Sequence, residues 1–484
     1  MKLSCILKKY PFRELKGTMD IDIDNIEHDS KRISNGDLFI AQRGFSHDGH
    51  DYIESAIKRG AVGVVQEKDL NLENSITMIK VRDSTDALGY FAGNYYGLPW
   101  KSMNIIGVTG TNGKTSVTHY IESIFRENSY KTGILGTLGV NIRDEHIHMI
   151  NTTPDALDMQ RMLNEMKKKE VEYCIMEVSS HALDLKRVKY MDFDVGIFTN
   201  LSKDHLDFHG SMEDYLNSKL KLFYKTRKNN IINIDDPYGK IIIDKIRDKI
   251  PIINYGFKEK AMIYASNIEY GPNFTKFDLI TPMGKREVCL STLGEFSVYN
   301  ALAAASCGYA FSIDIDIIVR GLENLKSVKG RLESITNNKG YNIIIDFAHT
   351  PEAVEQVLRT IKKFAAGRII VVIGAGGNRD RSKRPDMGRI VGTYADLSII
   401  TSDNPRFEDP EKIIDDIIDG VRLTKGKYIR IVDRKEAIKY AIENYRTGDI
   451  ILLAGKGHEE YVIRGNKYYP FNEREIVKEI INEV

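Results

Sequence analysis

The sequence predicts an α/β protein built in three blocks, and three observations carry that expectation. From about residue 100 onward, short apolar runs alternate with amphipathic stretches at helical spacing, the rhythm of strands laid down with helices as a largely parallel sheet. Those strand-like runs end in glycine-rich or polar loops, and open parallel sheets bind ligands at such carboxyl ends. At 484 residues the chain is also too long for one ordinary core.

Residues 1–99 form the first block, with strand patterns "GDLFIAQRG" and "AVGVVQE" around the helix-like "DYIESAIKRGA"; Gly97 and Pro99 in "YYGLPW" punctuate a linker. Residues 100–330 form a central block: "MNIIGVTG", a helix, then "YCIMEVSS", "VGIFTN" and the run Ile231 to Ile234. Residues 331–484 repeat the alternation in "YNIIIDFAHTPEAVEQVLRTI", "RIIVVIGAGG", "LSIITSDNPR" and "DIILLAGKGHEE". Two such blocks suggest two half-sites facing one cleft.

Hydrophobic residues make up 42% and charged residues 28%, and 69 Lys+Arg balance 68 Asp+Glu. Such a balance gives no general pull toward nucleic acid or anionic membrane, so a phosphate-bearing ligand must be held by a local site. Cys5, Cys174, Cys289 and Cys307 lie far apart without a C-x-x-C pair and read as reduced thiols. With no signal-peptide core and no apolar run of about 18 residues, the expectation is a cytoplasmic monomer with no nucleic-acid or membrane partner.

"IIGVTGTNGKTSVTHYI" departs from the usual phosphate loop, G-x-x-x-x-G-K-[ST], because Val108 stands where the first glycine belongs. Its context fits nonetheless. Ile105, Ile106 and Val108 read as a buried strand, and Val117, Ile121 and Ile124 fall at helical spacing after it. Backbone amides from Gly110, Thr111, Asn112, Gly113 and Ser116 would cradle phosphates, Lys114 would neutralise them, and the Thr115 hydroxyl would meet magnesium. Gly107 and Gly110 are read as supplying loop flexibility one register away from the usual glycine; a structural glycine turn is the plainer alternative.

Glu177 closes the strand "YCIM", where a carboxylate is placed for magnesium or is an ordinary strand end. Asp204, His205, Asp207 and His209 cluster in "TNLSKDHLDFHG"; zinc, a solvated loop, and a magnesium or phosphate site using His205 all remain open there. Lys219, in "SMEDYLNSKLKLF", reads from its surroundings as a surface helix lysine.

The form G-x-x-G-T-N-G-K-T resembles the ATP loop of the Mur ligase superfamily, ATP-dependent amide-forming ligases that include the muramyl-peptide synthetases and folylpolyglutamate synthetase. The likeness spans essentially the full chain, with motifs in family order. It implies a UDP-binding N-terminal domain, a central P-loop ATPase-like domain and a Rossmann-like C-terminal domain. It also implies ATP and Mg2+ as cofactors, with His205 at a second magnesium or phosphate site, Lys114, His205 and Lys219 in the catalytic set, and Thr115, Glu177, His205 and Lys219 around metal, Lys219 as a carbamate. "LGEFSVYNALAAAS" resembles the family's adenine-contacting segment, which implicates Asn300; Arg331 and Asp346 match nucleotide-contacting positions.

Within the superfamily, "IEHDSKRISNGDLFIAQRGFSHDGHDYI" resembles the UDP-binding segment of members that extend UDP-N-acetylmuramoyl-L-alanyl-D-glutamate, with Ser30 in the D-S-[RK] position and Phe45 to His47 in the next loop. Thr152, Thr153, Ser179 and Arg187 match positions that hold the muramyl peptide; Leu185 stands where relatives place a Gln. Read alone, "TSDNPRFEDP" is an Asn-Pro turn after a strand. In the family, Asp403, Asn404, Pro405 and Arg406 spell the D-N-P-R of enzymes that add meso-diaminopimelate, with Arg379, Gly455 and Glu459 completing that site. An arginine there would pair the second carboxylate of diaminopimelate and be left unpaired by L-lysine, the alternative substrate. In "GAGGNR", Arg379 takes the third glycine's place in a dinucleotide fingerprint, which argues against that reading. A folylpolyglutamate-synthetase-like ligase or a P-loop NTPase that makes no amide are the further alternatives.

Overall fold

The computed structural model describes residues 1–44, 47–69, 76–149, 151–271, 274–335 and 339–483, and every count below is of those residues. Three large sheets organise the chain, and Tyr461–Arg464 with Lys467–Pro470 form a fourth of two strands. The first runs Glu14–Lys16, Thr77–Lys80, Gly63–Gln66, Leu38–Ile40, Ile26–Glu27, parallel except at Glu14–Lys16.

The central sheet has eleven strands. Its middle is parallel because the strands there are apolar on both faces, as burial between two helical layers requires. In the strand Asn104–Thr109 only Asn104 keeps some exposure. That strand lies between Tyr173–Glu177 and Phe193–Phe198, with Glu177 level with Val108 and Phe198 level with Thr109. Equal strand ends put the three following loops on one edge. Antiparallel strands close both flanks: Thr275–Thr281 with Gly284–Leu290, and Gly139–Ile142 with Glu145–Ile147.

The third sheet orders its six strands as Glu333–Ser334, Asn342–Asp346, Ile450–Ala454, Ile369–Ile373, Leu397–Ile400 and Tyr428–Arg430, parallel but for the first pair. Asp346 and Ile373 are level with Ala454, and Ile400 with Ile373, so the loops after these four strands also share one edge.

Polar contacts join the blocks, beside apolar packing such as that of Leu157 among the first block's core residues. Arg161, on the helix Ala156–Lys168, donates to Ile26 O at 2.9 Å and pairs with Glu27 of the first sheet. Asp86 accepts from Tyr10 at 3.2 Å and from Tyr190 at 2.7 Å, joining the first and central blocks. On the other side Lys383 lies 3.8 Å from Asp204.

The last helix, Glu473–Glu483, is fixed by a buried ion pair: Arg434 Nε donates to Glu473 Oε1 at 2.8 Å while Nη2 donates to Ala454 O at 2.9 Å. Removing one partner strands a charge away from water. Glu473→Ala is therefore expected to cost about 3–5 kcal/mol of stability, read by chemical denaturation; a loss below about 1 kcal/mol would show that water reaches the guanidinium.

Candidate active site

Gly107 is a correction to the sequence reading. It lies inside the strand Asn104–Thr109, where a Cβ would come within 2.7 Å of the Phe193 ring and 2.9 Å of Leu222 Cδ1; its role is close packing and not loop flexibility. Gly110 begins the turn, with φ +153°, and a Cβ there would lie 1.8 Å from Thr199 Oγ1. Gly110→Ala is accordingly expected to push the loop off its support and raise the KM for ATP at least about ten-fold, measured by steady-state kinetics.

That support comes from the end of the neighbouring strand. Thr111 N donates to Asn200 O and Asn112 N to Asn200 Oδ1, each at 2.9 Å, while Thr199 Oγ1 donates to Asn112 O at 2.6 Å. The helix Lys114–Glu127 then begins, aiming its free amides at the cleft.

Lys114 Nζ donates to Gly110 O at 2.9 Å and Thr111 O at 2.8 Å, and Lys219 Nζ donates to the same Gly110 O at 3.0 Å. Lys219 is 1% exposed, against the expectation of a surface lysine: Ser211 caps the helix Met212–Tyr224, and the turn that carries Lys219 faces the phosphate loop. Burial pushes the Lys219 ammonium well below its ordinary pKa, and Lys114 reinforces the shift; burial lowers Lys114 also. Lys114, held on the carbonyl that Lys219 also meets, places a positive charge suited to a polyphosphate at the mouth of the loop.

Glu177, buried at its strand end, accepts from Thr137 N at 2.8 Å and Thr137 Oγ1 at 3.0 Å. These bonds leave lone pairs on both oxygens. Glu177 and Thr115 line one cleft of about 590 Å³. Hard oxygen donors few in number suit Mg2+, which keeps several waters and takes one or two carboxylates together with phosphate oxygens.

Burial pushes His205 down to about 4, with Asp204 opposing. Burial also disfavours ionised Asp204, but His205, Lys383 and His349 outweigh it and hold that carboxyl below its ordinary value. His209 turns inward instead, 2.9 Å from Ser180 Oγ and 3.2 Å from Asp184, stacked on Tyr215. The side chain of Asp207 lies outside what is described.

The opposite wall comes from the helix Glu295–Ala310 and the third block. Asn300, Arg331 and Asp346 line the same cleft as Gly113, Ser116 and Thr152. Arg331 stacks 4.8 Å above the Phe347 ring and reaches Thr115 Oγ1 at 3.5 Å. Asp346 accepts from Leu332 N and Ala348 N, each at 2.7 Å, while burial raises its pKa.

Thr153, Ser179 and Arg187 converge beside Glu177. Thr153 Oγ1 donates to Glu177 O at 2.9 Å and lies 3.3 Å from Ser179 Oγ; Arg187 Nη1 donates to Thr153 O at 2.7 Å. Thr152 joins through Thr137 Oγ1 at 3.1 Å. Ser30 is buried in the turn after Asp29, and the neighbouring His28 lies 3.4 Å from Asp155. Phe45 and Ser46 lie outside the described residues.

At the far edge, Arg379, Arg406, Asp403 and Glu459 gather around the ends of the third sheet. Arg406 Nη1 donates to Gly377 O at 2.9 Å, and burial lowers its pKa with help from Arg379 and against Asp403 and Glu459. Gly455 lets the next loop pass Asp403, whose Oδ2 would lie 2.9 Å from a Cβ there. Pro405 carries the chain from Asn404 into Arg406, which has φ +52°.

Models of the Mur ligase family, catalytic domain, of the Mur ligase middle domain and of the Mur ligase glutamate ligase domain match residues 22–96, 108–308 and 330–457. The UDP-N-acetylmuramoyl-L-alanyl-D-glutamate–2,6-diaminopimelate ligase of Clostridium tetani is 46% identical, with 100% of each chain covered. The chain belongs to the Mur ligase family. The like-named ligase of Alkaliphilus metalliredigens is 43% identical to this Mur ligase, covering 100% of this chain and 98% of its own. Among solved structures, a UDP-N-acetylmuramoyl-L-alanyl-D-glutamate–2,6-diaminopimelate ligase superposes with a TM-score of 0.71 at 29% identity, covering 100% of this chain and 99% of its own. MurF ligase from Thermotoga maritima in complex with ADP shares the fold, with a TM-score of 0.67 at 19% identity over 95% of this chain and 97% of its own.

Sequence reasoning missed three residues of this Mur ligase's site. Asn200 and Thr137 act from neighbouring strands on the phosphate loop and Glu177, and only strand adjacency reveals them. Lys456, between two glycines, carried a usable signal: a lysine flanked by residues able to take left-handed backbone can turn inward. Among the described residues no helix is long and apolar enough to cross a membrane.

Proposed function

We propose that this Mur ligase joins meso-diaminopimelate to the D-glutamyl γ-carboxylate of UDP-N-acetylmuramoyl-L-alanyl-D-glutamate, driven by cleavage of ATP to ADP and phosphate. The observation that carries the reading is the presence in one chain of a lysine-rich phosphate cradle and a separate cluster pairing Arg379 and Arg406 with Asp403 and Glu459. The cluster matches a substrate with carboxylates and ammonium groups at both ends.

Gly110 to Ser116 hold the triphosphate, Asn300 the adenine, and Arg331 and Asp346 the rest of the nucleotide. Ser30, Thr152, Thr153, Ser179 and Arg187 hold the nucleotide-linked dipeptide. A D-glutamyl carboxylate oxygen attacks the γ-phosphorus; the bond to the β,γ-bridging oxygen breaks and ADP leaves, giving an acyl phosphate. Lys114 stabilises charge on the transferring group. The neutral amine of diaminopimelate then adds to the acyl carbon, loses its proton, and expels phosphate from the tetrahedral intermediate. Thr115, Glu177, His205 and Lys219 in its carbamate form would hold magnesium, which would supply charge neutralisation of the phosphates. Lys383 with Asp204 and Arg331 with Thr115 bring the third block against the central one, which keeps water from the acyl phosphate.

Burial pushes Lys219 toward its neutral form, in which an amine adds carbon dioxide and loses a proton to become a carbamate. Buffer stripped of dissolved carbon dioxide is expected to lower activity at least about ten-fold, with bicarbonate restoring it; equal rates in both would remove the carbamate from the reading.

The deciding assay supplies ATP, Mg2+ and UDP-N-acetylmuramoyl-L-alanyl-D-glutamate with diaminopimelate and lysine in competition, and weighs the product. The diaminopimelate adduct should dominate. A dominant lysine adduct would overturn the substrate assignment, and ADP without any adduct would overturn the ligase itself.

A further inference from the structure

Lys456 is 0% exposed and has no part in the chemistry above. A buried ammonium is costly unless every one of its donors is satisfied. Its Nζ lies 3.1 Å from Glu459 Oε2, 3.3 Å from Asn404 Oδ1 and 3.6 Å from Asp403 Oδ1. The loop geometry aims it there: Gly455 at φ +111° and Gly457 at φ +54° flank it in left-handed backbone. At Gly457 a Cβ would come 2.6 Å from Phe347 Cβ, so the turn admits only glycine without rearrangement.

Asn404 completes the frame. Its Nδ2 donates to Glu459 Oε2 at 2.8 Å, and its Oδ1 accepts from Ile463 N at 3.0 Å as well as from Lys456. A donor on one side and an acceptor on the other fix which way the carboxamide faces. Two donors therefore converge on one oxygen of Glu459. Among the described residues the bonds of this carboxylate fall on Oε2, which leaves Oε1 directed away from the frame.

We propose that Lys456 is a positioning residue for the amino-acid substrate: through Oε2 and Asn404 it orients Glu459 so that Oε1 receives the substrate's distal ammonium. The proposal rests on the diaminopimelate reading and refines it. Asn404, placed by sequence among the substrate contacts, is also part of this frame. Lys456 also stands between Asp403 and Glu459, 3.6 Å and 3.1 Å from their carboxylates.

Lys456→Met and Lys456→Gln, with Glu459→Gln and the double variant Lys456→Met/Glu459→Gln, test this by steady-state kinetics on the full chain. In Lys456→Met the KM for diaminopimelate should rise about ten-fold or more, with those for ATP and the nucleotide dipeptide within about two-fold. Lys456→Gln, which keeps a donor and loses the charge, should fall between. The double variant should be no worse than the poorer single one, because both changes act through one carboxylate. Parallel shifts in all three KM values, an unchanged KM for diaminopimelate, or additive effects would each overturn the proposal. Should Lys456→Met fail to fold, Lys456→Gln alone decides by the same split. A wild-type chain that forms no amide would sink the functional reading, whereas wild-type product with indifferent variants sinks only the role of Lys456.

Discussion

Replacing Lys114 with methionine should lower kcat for amide formation by about three orders of magnitude without lowering the melting temperature. The two halves of that expectation have one cause. Burial lowers the pKa of Lys114, so folding works against its charge, and Lys219 stands on the same carbonyl. A group whose protonated form is disfavoured in the folded state destabilises the fold at pH values where it must stay protonated. Methionine fills similar space with no charge to desolvate, so stability is preserved or raised. The transferring phosphoryl group, however, loses its nearest cation. Product formation by mass and a thermal melt read the two halves; kcat within ten-fold of wild type, or a destabilised protein, would place the catalytic charge elsewhere.

Arg406→Asn should reduce kcat/KM for diaminopimelate about a hundred-fold or more while leaving the slower use of lysine unchanged or improved. Asparagine is chosen because Arg406 sits at φ +52°, a region that asparagine enters more readily than most side chains. The backbone bonds on either side, Arg406 N to Ile463 O at 3.1 Å and Gly465 N to Arg406 O at 2.8 Å, are then kept. What is lost is a guanidinium that, among the described residues, spends one donor on Gly377 O and leaves most of the others for a carboxylate. Lysine has no second carboxylate and loses nothing. Equal losses for both substrates in a competition assay would mean that Arg406 holds the carboxylate they share.

Much of the site was legible because strand ends are legible. An apolar run that stops at a glycine or an acid marks the edge of a parallel sheet, and Gly110 and Glu177 are read that way; Asp346 and Asp403 also stand at or just past strand ends, but resemblance singles them out. Lys219 was not legible from its own helix, since its neighbours give no hint that this turn faces the phosphate loop; only resemblance singled it out. Gly107 was misread for a related reason. Along the chain it looks like a loop glycine, and what demands it is Phe193, which is brought opposite by strand pairing. Thr137, Asn200 and Lys456 act on side chains or backbone in other loops, so their meaning appears only when the loops are assembled.

The level strand ends of the third sheet separate what must persist from what can vary. Asp346, Ile373, Ile400 and Ala454 end together, and the residues proposed to choose the amino acid all lie beyond them. A lineage could exchange the segments after Ile400 and Ala454, and with them its choice of diamino acid, while inheriting the sheet intact. Lys456 with Asn404 marks the condition on such an exchange: the two segments are joined by one buried charge, so they should change together in descent or not at all.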